Sequence, residues 1–369
     1  MSDFEHIDDL RGPRVLTIGV PTYNRAAILA QFLAQFCKDT LEVASKLKVV
    51  ISDNCSLDST QPICEDWINT YLGEMEISYF RHSENIGASR NLLSIFDRVT
   101  TPYFMFLGDD DRINPESLPK LLTILESQVR PVAVIQSHWA GELRLDKLGA
   151  VDFQQALELF YEYGNAWAAV IDAKAAVKAL ASRNIRVQVE SMVWPQTVMG
   201  FLAMHDEPHR PVYIVPFEMG MQMVSGMNIC TKSYWQRSFL DLLKAAALVD
   251  EVTGGSSVKH IFARMRTKGF MLHIRSIAIG TLASPDAEPS WQLQSFFKKH
   301  YGLRGWFWSL VIYCGDQSSW LKFLLKYYYF FVKGNSTVEF EEKLAKLRLA
   351  HNPKIVSGVG KAIRHSNWF

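Results

Sequence analysis

The feature that most constrains this chain is an alternation. VLTIGV (15–20), LKVVIS (47–52), EISYF (76–80), PYFMFL (102–107) and PVAVIQ (131–136) are short runs rich in β-branched and aromatic residues, and each has the length and composition of a strand. Helical apolar spacing marks 26–37, QPICEDWINTYL (61–72), the segment up to about 99, and PESLPKLLTILES (115–127), which has Pro115 in its first turn. Strands alternating with helices predict an α/β fold, a mostly parallel sheet covered on both faces. Ligands of such sheets collect at the carboxyl ends of the strands. The loops PTYNR, DNCSLDS and GDDDR all follow strands and therefore share one rim. After residue 137 the pattern loosens. NAWAAVID (165–172) and PVYIVPF (211–217) read as further strands, and ESMVWPQTVMGFLAMH (190–205) as a turn entering a helix.

The chain has 369 residues, 48% of them hydrophobic and 21% charged, enough apolar material for a sizeable core plus an appendage. Its net charge of +1 hides a division. From Cys230 onward there are 20 Lys/Arg against 9 Asp/Glu, which leaves 19 against 29 before it. An acidic domain over 1–229 and a basic, helical, aromatic region over 230–369, with different jobs, are expected. The five cysteines are scattered with no CxxC pair, which suggests neither a zinc site nor a disulfide framework and fits a reducing cytoplasm. The acidic N-terminus lacks an apolar core of signal-peptide type, and no apolar run reaches the length of a membrane span. No G-x-x-x-x-G-K-[ST] loop, G-x-G-x-x-G fingerprint or H-E-x-x-H pattern occurs, which argues against a P-loop NTPase, a dinucleotide enzyme or a zinc protease.

Three adjacent carboxylates, Asp109, Asp110 and Asp111, repel one another at the end of FMFLG, so they call for a positive partner. Hard divalent cations take oxygen ligands, and Mg²⁺ commonly uses one or two carboxylates with substrate phosphates. Asp53 ends the second strand, where a carboxylate either accepts bonds from a ligand or closes an Asx-turn. Tyr23 is either a stacking ring or a core tyrosine. Arg25 is either a phosphate ligand or a solvated arginine, and Arg90 either meets phosphate or pairs with the acidic cluster.

Taken together and in this order, VPTYNR, ISDNCSLDST, ENIGASRN and FMFLGDDDR resemble the inverting family 2 glycosyltransferases with the Rossmann-like GT-A fold, of the bacterial surface-polysaccharide type. The resemblance covers residues 14–225. It implies a nucleotide-sugar donor bound by Pro21, Thr22, Tyr23, Arg25, Asp53, Asn85, Arg90 and Asp109, and Mg²⁺ or Mn²⁺ held by Asp110 and Asp111. Family members often read D-x-D-D here, whereas this chain has Gly108 at the first position. Glu190 matches the place of the catalytic base near the start of an acceptor-side helix, with Asp172, Glu158 and Asp206 as rivals. It is followed by Ser191 in place of the frequent second acid. Trp167 and Trp194 are either sugar platforms or core.

The acceptor implied is a saccharide or lipid-linked saccharide at the cytoplasmic face of the cell membrane. The segment 306–334 crowds aromatic residues around Lys322, Lys326 and Lys333, which suits peripheral membrane contact. Packing on the core or on a second subunit, as a homodimer, is the other reading, and nucleic acid is not expected. Two further readings of function stand: a non-catalytic nucleotide-sugar-binding scaffold, and a soluble transferase with a protein or small-molecule acceptor.

Overall fold

In the computed structural model the described residues are 14–71, 73–136, 138–139, 142–143, 148–151, 155–156, 169–192, 195–222, 245 and 248–254. The chain divides into two compact units, one of residues 1–224 with 241–261 and the other of 225–240 with 262–369. Glu158, Trp167, Trp194 and the segment 306–334 lie outside the described residues.

The first unit is built on an eight-stranded mixed sheet. Strands β1 (Leu16–Thr22), β2 (Leu47–Asp53), β3 (Glu76–Arg81) and β4 (Tyr103–Phe106) lie in the order β3-β2-β1-β4, all parallel. Every residue of β2 is buried, as expected of a parallel strand covered on both faces. Helix α1 (Ala26–Thr40) lays Leu29, Phe32, Leu33 and Phe36 on the core at helical spacing. The rings of Phe32 and Phe36 stack 5.2 Å apart. Helices α2 (Thr60–Thr70) and α3 (Ala88–Phe96) follow β2 and β3, completing the expected alternation.

Beyond β4 the topology departs from simple alternation. A short strand β5 (Asp111–Ile113) leads through a turn to α4 (Leu118–Leu125) and β6 (Ala133–Gln136). Pro115 sits in that turn, and Pro119 occupies the first turn of α4. Small strands β7 (His138–Trp139), β8 (Glu142–Leu143) and β9 (Gly149–Val151) precede β10 (Ala169–Asp172). Strand β10 inserts between β4 and β6 and runs antiparallel to both. Its all-buried AVID is as apolar as a parallel strand, so composition carries no sign of its direction. Helices α5 (Ala173–Arg183), α6 (Arg186–Glu190) and α7 (Pro195–Asp206) come next, then β11 (Val212–Val215), parallel to β6, and β12 (Gly220–Gln222). Strand β12 pairs antiparallel with β5. The acidic turn is thus clamped between the end of β4 and a two-stranded ribbon.

Candidate functional site: an acidic rim with its own arginine

The carboxyl ends of β1, β2 and β4 bring three loops together. Asp109 is 2% exposed. Thr22 donates its hydroxyl to Asp109 Oδ2 at 2.7 Å, and Arg25 Nη1 donates to Asp109 Oδ1 at 2.6 Å. The same guanidinium nitrogen lies 3.1 Å from Asp110 Oδ2. Arg25 is therefore the positive partner that the acidic triplet requires. Burial disfavours its charge, but Asp109 and Asp110 outweigh that and raise its pKa. Burial likewise pushes the Asp109 carboxyl up, with Arg25 and Thr22 drawing it back.

Asp111 turns back on its own loop, where its Oδ2 accepts the Gly108 N–H at 3.2 Å. Arg112 then bonds Asp39 of α1 through two nitrogens, at 2.6 and 2.7 Å, which fixes the ribbon below the turn. A Cβ placed on Gly108 would meet Asp111 Oδ2 at 2.6 Å and Asp110 Oδ1 at 2.8 Å. The tips of Asp110 and Asp111 thus pack against Gly108, and a side chain there would have to push them aside. Carboxylates are ligands of the kind a hard divalent cation takes, its others coming from phosphate and water. No cluster of three or more His, Cys, Asp or Glu fit to hold a metal occurs among the described residues.

Asp53 is fully buried. Its Oδ1 accepts the Ser56 N–H at 2.8 Å and its Oδ2 the Tyr79 hydroxyl at 2.8 Å, with Arg81 Nε 3.7 Å away. It closes the strand and pins the loop that follows. That loop is laced to the first one. Ser56 Oγ accepts the Asn24 N–H, Asn24 Oδ1 accepts the Leu57 N–H, and Asp58 accepts the Ala26 N–H. Asp58 stands in for the cap that Arg25, the residue preceding α1, does not supply. Burial works against the Asp58 charge, but bonds from Thr60 and Ala26 bring its pKa below the ordinary value. Asn24 and Cys55 both hold positive φ, 51° and 66°, a conformation sustained by this lacing.

Asn54 extends the strip. Its N–H donates to Thr22 O, its Nδ2 to Asn85 Oδ1 at 2.9 Å, and its Oδ1 accepts the Ile86 N–H at 2.9 Å. Gly87 caps α3 with φ 85°, a backbone state open to glycine at little cost. Arg90, in the first turn of α3, has a 63% exposed side chain and lies 3.5 Å from Glu190 Oε2. It meets Glu190 instead of the acidic triplet. Glu190 also meets Arg186, which in turn clasps Asp97 with two bonds. Glu190 closes the five-residue α6 and does not open the next helix as expected, because Pro195 begins α7 only after a further turn. Pro21 is half-buried, and Tyr23 is 41% exposed on the same rim.

Two rivals for the base have other work. Asp172 caps α5 by accepting the Ala175 N–H and pairs with Arg210 at 2.7 Å. It stands opposite Tyr103, the first residue of β4, at the end of that strand away from the acidic turn. Asp206 is clasped by Arg183 and His205, and these bonds outweigh burial and lower its pKa. Sequence reading missed Asn54, Tyr79 and Arg186. Asn54 had a faint signal as the polar residue next to Asp53. Tyr79 and Arg186 become partners only through strand register and helix packing.

Residues 17–148 match the family model described as Glycosyl transferase family 2. Abequosyltransferase RfbV of Salmonella typhimurium is 32% identical over 114 residues, 31% of this chain and 33% of RfbV. The chain thus spans about one third of the length of the curated relative it matches. Among solved structures, the 1–349 form of S. aureus TarS aligns with a TM-score of 0.49 at 11% identity, over 82% of this chain and 91% of that one. The mannosyltransferase PcManGT from Pyrobaculum calidifontis, in complex with GDP-Man and Mn²⁺, aligns with 0.47 at 14%, over 84% and 89%. Residues 17–148 of this chain are thus similar to the family 2 glycosyl transferases.

Proposed function

We propose that the protein is an inverting, metal-dependent glycosyltransferase that moves one sugar from a nucleotide-sugar donor to an acceptor hydroxyl. The observation that carries this reading is the unbroken strip of contacts from Asp110 through Arg25, Asp109, Thr22, Asn54 and Asn85 to Gly87, where α3 begins and brings Arg90 to Glu190. The family match covers all of that strip except Glu190. The name of RfbV, a sugar transferase, points the same way.

In this reading Tyr23, with its exposed face, packs on the nucleotide base, and Pro21, Thr22 and Asp53 shape the pocket behind it. Arg90 meets the diphosphate with paired donors. Asp110 and Asp111 hold Mg²⁺ or Mn²⁺, which when bound neutralises charge growing on the departing diphosphate. Glu190 accepts the proton of the attacking hydroxyl. The acceptor is a saccharide, in the favoured case lipid-linked in surface polysaccharide synthesis at the inner face of the membrane. The basic C-terminal composition supports that location. No helix among the described residues is long and apolar enough to cross a membrane.

A scaffold that binds donor without turnover is the second reading. It is favoured by the full engagement of both Asp53 oxygens and by the two arginines around Glu190. A thermal-shift panel of nucleotide sugars with Mn²⁺, followed by transfer assays, separates the two. Asp110→Ala should abolish metal-dependent transfer while the fold persists. Glu190→Gln should slow the chemical step by about 100-fold or more with donor affinity nearly unchanged. Donor binding with no transfer to any acceptor, lipid-linked ones included, selects the scaffold.

A further inference from the structure

We infer that a basic cleft at the amino ends of β4, β6 and β11 binds a phosphate monoester, held by Arg130, Lys174 and Lys178. The start of β6, the end of β10 and the turn before β11 meet there, at the end of the sheet opposite the acidic turn. The cleft has a volume of about 380 Å³ and is lined by Arg130, Asp172, Lys174, Lys178, Glu207 and Arg210.

The charges in it have different work. Arg210 builds the floor. Its Nε donates to Arg130 O at 3.0 Å, and its Nη2 donates to Pro131 O at 3.0 Å and to Asp172 Oδ2 at 2.7 Å. Asp172 also caps α5 by accepting the Ala175 N–H, so side-chain charge and not the helix end carries the site. Lys178 Nζ lies 3.2 Å from Glu207 Oε1, but its side chain is 64% exposed. A pair so open to water contributes little, which leaves Lys178 able to turn to a ligand. Lys174, one turn earlier on the same face of α5, is exposed as well. Arg130 is exposed and holds φ 45°. An arginine adopts that state at a cost, and the bond from Arg210 to its carbonyl helps to hold it, so its side chain leaves a fixed turn. Four cations against two carboxylates leave two positive charges in one cleft.

That excess selects the ligand. A phosphate monoester carries a charge of about −2 near pH 7, whereas a diester carries one. A guanidinium meets phosphate with paired donors and an ammonium meets it as a point charge. No ring lines the cleft, so a nucleobase finds nothing to stack on. The volume exceeds that of a bare phosphate and leaves room for a small polar body such as glycerol or a sugar. The monoester is either a soluble sugar or glycerol phosphate or the headgroup of phosphatidic acid, and the recognition chemistry is the same for both.

The test is isothermal titration calorimetry of the full chain in EDTA, with glycerol phosphate and dimethyl phosphate as soluble probes. Phosphatidylcholine vesicles with and without phosphatidic acid are the lipid probe, read by co-sedimentation. Wild type should bind glycerol phosphate about 10-fold or more tightly than dimethyl phosphate, which identifies a soluble ester. Binding only to the phosphatidic acid vesicles identifies the headgroup. Arg130→Gln with Lys174→Gln should weaken whichever binding is seen about 10-fold or more. Its circular dichroism should match wild type, because both side chains are exposed and glutamine makes the same backbone demand. Arg90→Gln at the acidic rim should leave the binding unchanged. The inference fails if wild type binds neither probe, or if the double variant binds as wild type does. It fails equally if Arg90→Gln removes the binding, which would put the phosphate at the rim. Measurable binding of dimethyl phosphate as tight as that of glycerol phosphate would overturn the assignment to a monoester.

Discussion

At the scale of single residues, an exacting demand is the charge on Asp109. A carboxylate that is 2% exposed keeps its charge only if something replaces water, and here that is one threonine hydroxyl and one guanidinium. Truncating the arginine strands the charge. Arg25→Met is expected to cost about 2–4 kcal/mol, toward the lower end because the guanidinium is partly exposed. Arg25→Met combined with Asp109→Asn should recover most of that, since the amide still meets Thr22. Urea unfolding of the three variants checks this. A double variant no more stable than Arg25→Met would show that the loss lies in the packing of the arginine stem and not in the stranded charge. The sequence made the need for a cation legible, because three like charges in a row are a visible anomaly. It offered Arg90 and not Arg25 for that place, because the choice depends on the parallel pairing that carries β1 and β4 to the same rim.

Among elements, the rim is built by loops that bond to one another more than to themselves, and the layer beneath is equally polar. His82, just after β3, places Nε2 3.0 Å from Ser94 Oγ of α3 and 3.4 Å from Ser52 Oγ of β2. Ser52 also bonds Asn91. Burial, and then the Arg98 charge, lower the His82 pKa from its ordinary value of 6.5. The unfolded chain therefore takes up the proton first as pH falls. The stability tied to neutral His82 is fully present above about pH 6.5 and is lost below it, down through the folded-state value. Melting temperatures measured between pH 7.5 and 5.5 should fall more steeply for wild type than for His82→Gln. Parallel slopes would remove His82 as the cause. Periodicity placed β1 to β4, β6 and the helices between them, because β-branched runs bounded by polar loops carry both signals at once. It gave no sign that β10 reverses or that β5 pairs with β12. A four-residue buried strand reads the same in either direction, and a three-residue strand such as Asp111–Ile113 is too short to show a period.

At the scale of the whole molecule, the division of charge is the property that composition states most plainly and that the fold of the first unit does not use. The 20 Lys/Arg against 9 Asp/Glu from Cys230 onward sit in a chain whose earlier part carries 19 against 29. Folding does not require such a split, but an anionic surface would exploit it. Each basic residue near an anionic leaflet contributes about 1 kcal/mol, within a range of roughly 10 Å at 0.1 M salt. In WLKFLLKYYYFFVK, the four-residue spacing of Lys322 and Lys326 would put both on one face of a helix, among rings and leucines. Aromatic rings of this kind settle at the lipid headgroup level, with lysine heads left in water. The full chain should then float with vesicles containing phosphatidylserine at low salt. It should be released as salt rises toward about 1 M, where the screening length drops to about 3 Å. Lys322→Glu with Lys326→Glu should weaken flotation while donor binding at the acidic rim persists. A chain that stays at the bottom of the gradient under every lipid composition, and sediments as a dimer, would assign the aromatic segment to a subunit interface. The acceptor would then have to be sought among soluble saccharides.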